Sequence, residues 1–344
     1  MSLEPVVSEN KAQESYVATQ SRHGDIDAYL TKLLGKKYSA YRNRWLQVQR
    51  GKLETNFPLY LSLETMMKCN LRCVFCAYSS DDAIAPQQYS EVMTDAMFAS
   101  VLDEAVEHGC PSMGFNVLNE PLMDKKILSH IGVAHQRGVL DTRINTNASL
   151  LTEKRANGLI DAGLTRLMIS LDAFKAETYN SVRVRGNYDK LMRNIDRFLD
   201  IREKRGSKFP LLRVTFVKLA SNQNELPEFI EYWRSRADYI GVQEYVPPVS
   251  TDERYKAYQT GNQIVGEGYT CLQPFERIIV RGNGEMYPCC SQVNYKLPLG
   301  NIADTSIAAA WISPFMKNLR QEMREKATPT DSTCGQCMRG MMNV

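Results

Sequence analysis

Three cysteines occur within eight residues, with the spacing Cys-x3-Cys-x2-Cys at Cys69, Cys73 and Cys76. This spacing supplies three thiolates to one 4Fe–4S cluster and leaves the fourth iron without a protein ligand. An open coordination position is typical of a reactive metal centre, whereas a structural centre closes its coordination. Zinc is the alternative, but three cysteines so close together crowd a tetrahedral ion and lack an evident fourth ligand. The spacing therefore predicts an iron–sulfur cluster with one open iron.

Length, charge and cysteine content limit the class of protein. The chain has 344 residues, a net charge of +3 and 43% hydrophobic residues, which suits a globular protein with one large and one smaller domain. Its basic residues are dispersed, so neither nucleic acid nor a membrane surface is indicated as a partner. Neither a membrane-spanning run nor a secretory signal is evident in the sequence. We expect a cytoplasmic protein whose nine cysteines are metal ligands rather than disulfides.

Strand-like and helical patterns alternate through the middle of the chain. Apolar runs predict six strands, at 59–63, 113–117, 142–145, 167–171, 212–217 and 239–245. Helical periodicity fills the segments between them, with Thr94 and Thr152 as N-caps. This alternation predicts an α/β fold with a parallel sheet, in which ligands gather at the C-terminal ends of the strands.

The chain divides into three parts. Residues 1–56 form an N-terminal extension that is expected to be disordered to about residue 25 and then helical to about 50. The alternating region covers 57–246. The remaining part, 247–344, contains a predicted hairpin at 278–287 that turns at Asn-Gly, and a helix from 307 to about 326.

A second group of cysteines lies in the C-terminal part. Two flank the predicted hairpin and two are expected on a tight turn near the C-terminus: Cys271, Cys289, Cys334 and Cys337. Four thiolates suit either structural zinc or a 4Fe–4S cluster without an open iron. Cys110 reads as a small buried hydrophobic residue. Cys290 could replace Cys289 as a ligand or face the active site.

The first cysteine motif resembles the signature of the radical S-adenosylmethionine (SAM) superfamily. The C-terminal group resembles that superfamily's twitch module, a shorter relative of the SPASM domain, and together the two resemblances cover about residues 57–340. They imply a partial (β/α)6 TIM-like barrel at 57–246 and a small α+β auxiliary-cluster domain at 247–344. The implied cofactors are SAM, a 4Fe–4S cluster on the first three cysteines, and an auxiliary 4Fe–4S cluster on the other four.

Motifs at the strand ends extend the resemblance to the SAM contacts. An aromatic residue precedes the third cysteine, and Leu-Asn-Glu-Pro-Leu stands in place of the family's Gly-Gly-Glu-Pro-Leu, with both glycines replaced. Later segments resemble the Thr-Asn-Gly, Ser-x-Asp and Glu-Thr-Tyr-x3-Arg elements. The resemblance therefore implies that SAM is bound by Phe75, Tyr78, Asn119, Glu120, Asn147, Ser170 and Arg183.

The implied reaction is reductive cleavage of SAM to a 5′-deoxyadenosyl radical, which abstracts hydrogen from a bound substrate. The auxiliary cysteine intervals are similar to those of 2-deoxy-scyllo-inosamine dehydrogenases, so oxidation of an alcohol carbon in a sugar or aminocyclitol-like small molecule of a biosynthetic pathway is expected. The auxiliary cluster would accept an electron, and an external donor such as flavodoxin or ferredoxin would reduce the first cluster. Glu244, Tyr245 and Arg254 are candidates for substrate contact and proton transfer.

Three alternatives remain open at this point. In a radical epimerase, Cys290 would return a hydrogen atom to the opposite face of the substrate. In a ribosomal-peptide-modifying enzyme, a peptide-binding domain is common at the N-terminus, but residues 1–56 look too short and helical for it. A non-catalytic iron–sulfur partner protein is the least favoured, because the set of SAM-contact motifs argues against it.

Overall fold

The computed structural model describes residues 17–79, 91–247, 253–261, 269–289, 297–326 and 332–342. The strands in these ranges are β1 (Val17–Ser21), β2 (Tyr60–Glu64), β3 (Arg72–Cys73), β4 (Ser112–Gly114), β5 (Asp141–Thr146), β6 (Arg166–Ser170), β7 (Arg183–Val184), β8 (Leu211–Lys218), β9 (Tyr239–Glu244), β10 (Arg277–Arg281) and β11 (Met286–Tyr287). Among them, nine form one mixed sheet in the order β1-β9-β8-β6-β5-β4-β2-β10-β11. The remaining pair, β3 and β7, form a separate antiparallel ladder.

The middle of the sheet confirms the predicted α/β fold. Strands β2, β4, β5, β6, β8 and β9 pair in parallel with their neighbours, and each overlaps one of the six runs predicted from the sequence. Parallel neighbours require crossover connections, which the intervening helices provide. The result is a partial TIM-like barrel whose strands all end at the same edge of the sheet.

Helices cover the apolar face of this sheet. They are α1 (Ile26–Leu34), α2 (Lys36–Gln49), α3 (Asp95–Glu107), α4 (Ile127–Gln136), α5 (Glu153–Asp161), α6 (Ala176–Val182), α7 (Tyr188–Lys204), α8 (Leu226–Trp233), α9 (Gln273–Glu276), α10 (Ile307–Trp311), α11 (Pro314–Glu325) and α12 (Thr333–Met342). The predicted caps are present, since Thr94 accepts from the Met97 amide and Thr152 from the Arg155 amide. Gly35, with φ of +76°, divides the predicted N-terminal helix into α1 and α2.

Alternation along the strands separates two faces of the sheet. Leu61, Ile144, Leu167 and Val214 are fully buried in the hydrophobic core with the helices. Successive residues of a strand point to opposite faces of the sheet. The strand residues next to these four therefore face away from the helices, and several of them are polar. In this chain the inner face of the barrel is therefore suited to a polar ligand. No helix in the described ranges has the length and apolar character to cross a membrane.

The N-terminal expectation was wrong for residues 17–21. This segment forms β1 and pairs antiparallel with the edge strand β9, from Val17 opposite Gln243 to Ser21 opposite Tyr239. The run Val-Ala-Thr-Gln-Ser carries little apolar signal because an edge strand is held by backbone hydrogen bonds rather than by side-chain burial. Residues 1–16 lie outside the described residues.

The C-terminal part extends the same sheet. The predicted hairpin is confirmed, with β10 and β11 pairing antiparallel, and β10 also pairs in parallel with β2. The predicted helix from 307 is divided into α10 and α11, with Ser313 capping the second. The tight turn expected at Cys334 and Cys337 was wrong, because both lie on helix α12. A Cys-x2-Cys spacing fits one helical turn as well as a tight loop, so spacing could not distinguish them.

Candidate active site

The first three cysteines lie on a loop directly beyond β2, at the edge where the parallel strands end. The loop is closed by hydrogen bonds from the Cys76 amide to the Cys73 carbonyl (3.1 Å) and from the Val74 amide to the Val182 carbonyl (3.0 Å). The β3–β7 ladder places Cys73 opposite Arg183. Arg72 donates to the Cys69 carbonyl at 2.9 Å. The loop is thus held both by its own backbone and by the segment after α6.

The three thiols influence one another electrostatically. Burial, with smaller contributions from the neighbouring cysteines, raises the pKa of Cys69 to about 11 and that of Cys76 to about 12. Burial also raises the pKa of Cys73. Three neighbouring buried thiols suit a multi-iron cluster, whose positive irons would stabilise the thiolates.

Arg183 connects this loop to the end of strand β6. Its guanidinium forms an ion pair with the buried carboxylate of Asp172, and its Nη1 donates to the sulfur of Cys73 at 3.6 Å. The same guanidinium carbon lies 5.5 Å from the centre of the Phe75 ring. Asp172 has a φ of +62° and also accepts from the Val217 amide at 2.8 Å. A positive charge is therefore fixed beside the cluster loop, where an anionic group of a ligand could also be held.

Glu120 is buried in a hydrogen-bond network that joins three strand ends. Its carboxylate accepts from Thr146 Oγ1 (2.6 Å), from the Asn147 amide (2.7 Å) and from the Leu122 amide (3.0 Å). Burial raises the pKa of Glu120. Asn147 Nδ2 in turn donates to Asn70 Oδ1 on the cysteine loop at 2.9 Å. The carboxylate expected to contact SAM thus organises the loops around the site.

The other residues expected at SAM line the same edge. Asn119 Oδ1 accepts from the Val117 amide, while its Nδ2 is a buried donor without a hydrogen-bond partner among the described residues. An unsatisfied buried amide is costly, so this donor fits a polar ligand group. Tyr78 lies 4.8 Å below the Arg72 guanidinium carbon. Ser170 ends β6 and is half-buried.

Two of the four residues proposed for catalysis are neighbours in the sequence at the end of β9, but their side chains have different partners. Glu244 forms an ion pair with Lys218, at the end of β8, and lies 3.4 Å from Thr260 Oγ1. Tyr245 points the other way and donates to the Phe75 carbonyl at 3.3 Å. Burial raises the pKa of Tyr245 well above its ordinary value, so its phenol stays protonated. The structure places Arg254 on an exposed helical turn, and Cys290 lies outside the described residues.

The C-terminal cysteines form a second thiol group. Burial raises the pKa of Cys271 to about 12, with further contributions from Cys337 and Cys334. Burial likewise raises the pKa of Cys334 to about 11, again with Cys337 contributing. Cys289 follows β11 and is half-buried. Cys271 lies two residues before α9, so the four thiols come from three different parts of the chain.

Sequence reasoning missed four polar residues that the structure brings into the site. Two belong to motifs that were recognised but assigned through other members, and two carried no motif signal: Asp172, Thr146, Asn70 and Lys218. The position of Asp172 within Ser-Leu-Asp and of Thr146 within Asn-Thr-Asn could have identified them. Lys218 and Asn70 become visible when adjacent strand ends are compared, because charged or amide side chains there face a shared ligand edge.

Two family models match parts of this chain. The family model described as the radical SAM superfamily matches residues 63–209, and the SPASM model, described as an iron–sulfur cluster-binding domain, matches residues 271–338. The first match contains the three-cysteine loop and the strand ends around it. The second contains all four C-terminal cysteines discussed above.

Two curated relatives are similar to this chain over about two thirds to three quarters of its length. A GTP 3′,8-cyclase of Listeria monocytogenes is 28% identical over 231 residues, which are 65% of this chain and 66% of the relative. A GTP 3′,8-cyclase of Marinobacter nauticus is 28% identical over 261 residues, 75% of this chain and 72% of the relative. The match to the Listeria protein spans slightly less than two thirds of that protein's length.

Solved structures share the fold at low sequence identity. A crystal structure of BtrN in complex with AdoMet and 2-DOIA has a TM-score of 0.54 at 15% identity, covering 82% of this chain and 93% of that one. The structure of native anSMEcpe with bound AdoMet has a TM-score of 0.59 at 16% identity, covering 83% of this chain and 88% of that one. The structure of Streptococcus suis SuiB bound to S-adenosylmethionine has a TM-score of 0.56 at 14% identity, covering 82% of this chain and 72% of that one. The chain therefore contains a radical SAM superfamily domain at residues 63–209 and a SPASM iron–sulfur cluster-binding domain at residues 271–338, and SAM and two 4Fe–4S clusters are the cofactors that these two domains imply.

Proposed function

We propose that this protein is a radical SAM oxidoreductase that oxidises an alcohol carbon of a small polar molecule, such as a sugar or an aminocyclitol. The observation that carries the proposal is the C-terminal set of four cysteines. Four thiols satisfy every iron of an auxiliary cluster, so this site is better suited to accept an electron than to bind substrate. The polar inner face of the barrel supports a hydroxyl-rich substrate.

The proposal assigns the buried thiols and strand-end residues to the two clusters and SAM. When bound, SAM and the reduced first cluster supply a radical that removes a hydrogen atom from a substrate carbon, and the auxiliary cluster supplies an electron acceptor. In this assignment the first cluster is held by Cys69, Cys73 and Cys76, the auxiliary cluster by Cys271, Cys289, Cys334 and Cys337, and SAM by Phe75, Tyr78, Asn119, Glu120, Asn147, Ser170 and Arg183.

Oxidation of an alcohol also releases a proton, and Glu244 is the proposed acceptor. Its carboxylate lies at the end of β9, where it is paired with Lys218 and close to Thr260. A general base must lie within hydrogen-bond reach of the substrate hydroxyl, and the strand-end edge is where substrates of barrel enzymes bind. Tyr245 packs against Phe75 and is proposed to position the cysteine loop rather than to transfer protons.

Two partners follow from this assignment. One is the small-molecule substrate, and the other is an external one-electron donor such as flavodoxin or ferredoxin, which must reduce the first cluster before each SAM cleavage. Although burial raises the pKa of its thiol, Cys76 as a whole residue keeps part of its surface accessible. This exposure supports access for such a donor.

Nucleotide cyclisation is the second candidate. It is favoured by the two GTP 3′,8-cyclases that share 28% identity with the chain. Cyclisation would leave the mass of the substrate unchanged, whereas oxidation removes two hydrogen atoms. Radical epimerisation would also leave the mass unchanged, and its proposed hydrogen donor, Cys290, lies outside the described residues.

Anaerobic turnover of the reconstituted protein distinguishes these reactions. The protein is incubated with SAM, a reductant and either GTP or a panel of sugars and aminocyclitols, and products are identified by mass spectrometry. We expect 5′-deoxyadenosine together with a sugar or aminocyclitol product that has lost two hydrogen atoms. Glu244→Gln should abolish that product, while Glu228→Gln, at an exposed position on α8, should not. A product of unchanged mass from GTP would refute oxidation and support cyclisation.

A further inference from the structure

The inner face of the barrel contains space that the protein itself does not fill. Asn145 lies on β5, in the middle of the sheet, yet its side chain is exposed. Its backbone amide donates to Asn116 Oδ1 at 2.7 Å, so this part of the strand is well ordered by hydrogen bonds. A central-strand residue of a parallel sheet is normally covered, and exposure here indicates a cavity open to a ligand.

One arginine on this face has no carboxylate partner among the described residues. Burial lowers the pKa of Arg213, on β8, and the nearby guanidiniums of Arg166 and Arg143 lower it further; Tyr239 opposes them. Both Nε and Nη2 of Arg213 are buried without a hydrogen-bond partner in the described part of the chain. Its Nη1 contacts the sulfur of Met168 at 3.9 Å. A buried guanidinium without an anion is unfavourable, so this group is suited to a ligand that supplies one.

The other arginines nearby are paired with Asp141, and Arg166 also lies 3.9 Å from Asp27 Oδ1. Arg166 donates to Asp141 Oδ1 at 2.9 Å, and Arg143 lies 3.4 Å from Asp141 Oδ2. Arg143 also donates to Ser112 Oγ at 2.9 Å and lies over the Tyr60 ring at 4.3 Å. Two carboxylates therefore face Arg143, Arg166 and Arg213, and neither of them pairs with Arg213 among the described contacts, so this region carries an excess of positive charge.

Two glycines make room for these side chains. A Cβ at residue 241, on β9, would lie 1.9 Å from Arg213 Nη2, and one at residue 114, on β4, would lie 2.1 Å from the Tyr60 hydroxyl. With glycine at 241, the guanidinium can lie flat against the neighbouring strand instead of being displaced by a side chain. The missing side chain at residue 241 therefore provides the space that the Arg213 guanidinium occupies.

We propose that Arg213, assisted by Arg143, binds an oxyanion group of the substrate, either a phosphate ester or a carboxylate. Arg213 lies four residues before Val217, which is near the end of β8. At a rise of about 3.3 Å per residue, the bound anion would lie about 13 Å along the strand from the sheet edge that carries the cysteine loop. The substrate would place its anionic group deep in the barrel and its reacting carbon near the strand ends. This inference rests on the proposed function for the statement that the ligand is the substrate.

Binding of simple oxyanions to the reconstituted holoprotein tests the proposal. Inorganic phosphate, pyrophosphate and acetate are titrated calorimetrically at constant ionic strength into the parent and into three variants. Arg213→Met should weaken binding by about tenfold or more, since it removes a charge-assisted hydrogen bond, whereas Arg213→Lys should retain part of it. Arg137→Met, at an exposed helix end paired with Asp103, should bind as the parent does.

The outcomes separate this inference from the proposed function. Phosphate binding that depends on Arg213 identifies a phosphorylated substrate, and acetate binding that depends on Arg213 identifies a carboxylate. If the parent binds none of these ions, or if both Arg213 variants bind as tightly as the parent, the inference is wrong. SAM cleavage by the parent is measured separately: its absence would overturn the proposed function, whatever the binding results show. Iron content confirms that each variant has folded around its clusters.

Discussion

At the scale of single residues, Arg183 ties the cysteine loop to the rest of the barrel. It is 8% exposed, forms an ion pair with the fully buried Asp172, and contacts both the Cys73 sulfur and the Phe75 ring. A buried ion pair adds little net stability, but removal of one partner leaves an unpaired charge in the interior. Loss of the Arg183 side chain should therefore disturb the cysteine loop and the fold together.

Replacement of this arginine should be strongly destabilising. Arg183→Met leaves the Asp172 carboxylate buried without its counter-charge, which costs about 3 kcal/mol. We expect a clearly lower melting temperature for the anaerobically reconstituted protein. Arg193→Met, at an exposed position on α7, is the matched control and should change stability by no more than about 0.5 kcal/mol. Equal melting temperatures for the two variants would contradict this role.

Asp238 should make stability depend on pH. Burial alone would raise the pKa of Asp238, but Arg202 and hydrogen bonds from His23 and the Leu212 amide outweigh it, so the pKa is lowered. A carboxyl with a lowered pKa in the folded state stabilises the fold above its ordinary pKa of about 4 and loses that contribution as pH falls below it.

The corresponding test compares two asparagine variants across pH. Asp238→Asn should be less stable than the parent by about 3 kcal/mol at pH 7, and the difference should shrink as pH falls below about 4. Asp196→Asn, whose exposed carboxylate pairs with Arg236, should differ little from the parent at either pH. Unfolding followed by tryptophan fluorescence gives both comparisons. A difference for Asp238→Asn that is independent of pH would refute the assignment.

At the scale of elements, the β10–β11 hairpin joins the C-terminal cysteines to the barrel. Strand β10 pairs in parallel with β2, and the segment after β11 carries Cys289. Gly284 in the turn has a φ of +84°, a conformation that L-residues with a side chain adopt at a cost. A Cβ at this position would also lie 2.6 Å from Asn301 Oδ1, whose side chain is fixed by its bond to the Asn283 carbonyl.

Substitution in this turn should therefore cost more than backbone strain alone. Gly284→Ala and Gly138→Ala share a positive φ, which costs about 1 kcal/mol in each. Residue 138 has nothing within 4 Å of an added Cβ, whereas Gly284→Ala adds an overpacking cost of about 1–3 kcal/mol. In thermal unfolding, Gly284→Ala should have a lower melting temperature than Gly138→Ala. The reverse order would show that the turn can relax freely.

The sequence allowed most core elements to be predicted, and the exceptions have physical causes. The six parallel strands were visible because each buries apolar residues on the helix-covered face, as Leu61 and Leu167 do. Strand β1 could not be predicted from the sequence, because an edge strand is held by backbone pairing and needs no apolar pattern. The helix at Cys334 and Cys337 was not visible because a ligand spacing of three residues fits both a turn and a helix. The thiols could be predicted from spacing, but Lys218 could not, since it meets Glu244 only when β8 and β9 are adjacent.

At the scale of the whole molecule, one continuous set of contacts links the two cysteine groups. The continuous sheet runs from β1 at one edge to β11 at the other, through all six parallel strands. Arg281 on β10 forms a buried ion pair with Glu64 at the end of β2, with Nε and Oε2 3.0 Å apart. Glu64 also accepts from the Leu118 amide, next to Asn119. The C-terminal domain is thus connected directly to the loops that surround the SAM edge.

The chain should hold two separate four-iron clusters, one on each cysteine group. Iron and sulfide are measured in anaerobically reconstituted parent protein and in two variants, one with Cys69, Cys73 and Cys76 changed to alanine, the other with Cys271, Cys334 and Cys337 so changed. We predict about 8 iron atoms per chain for the parent and about 4 for each variant. A parent with about 4 iron atoms, and none in the first variant, would contradict the auxiliary cluster and the proposed electron-acceptor role.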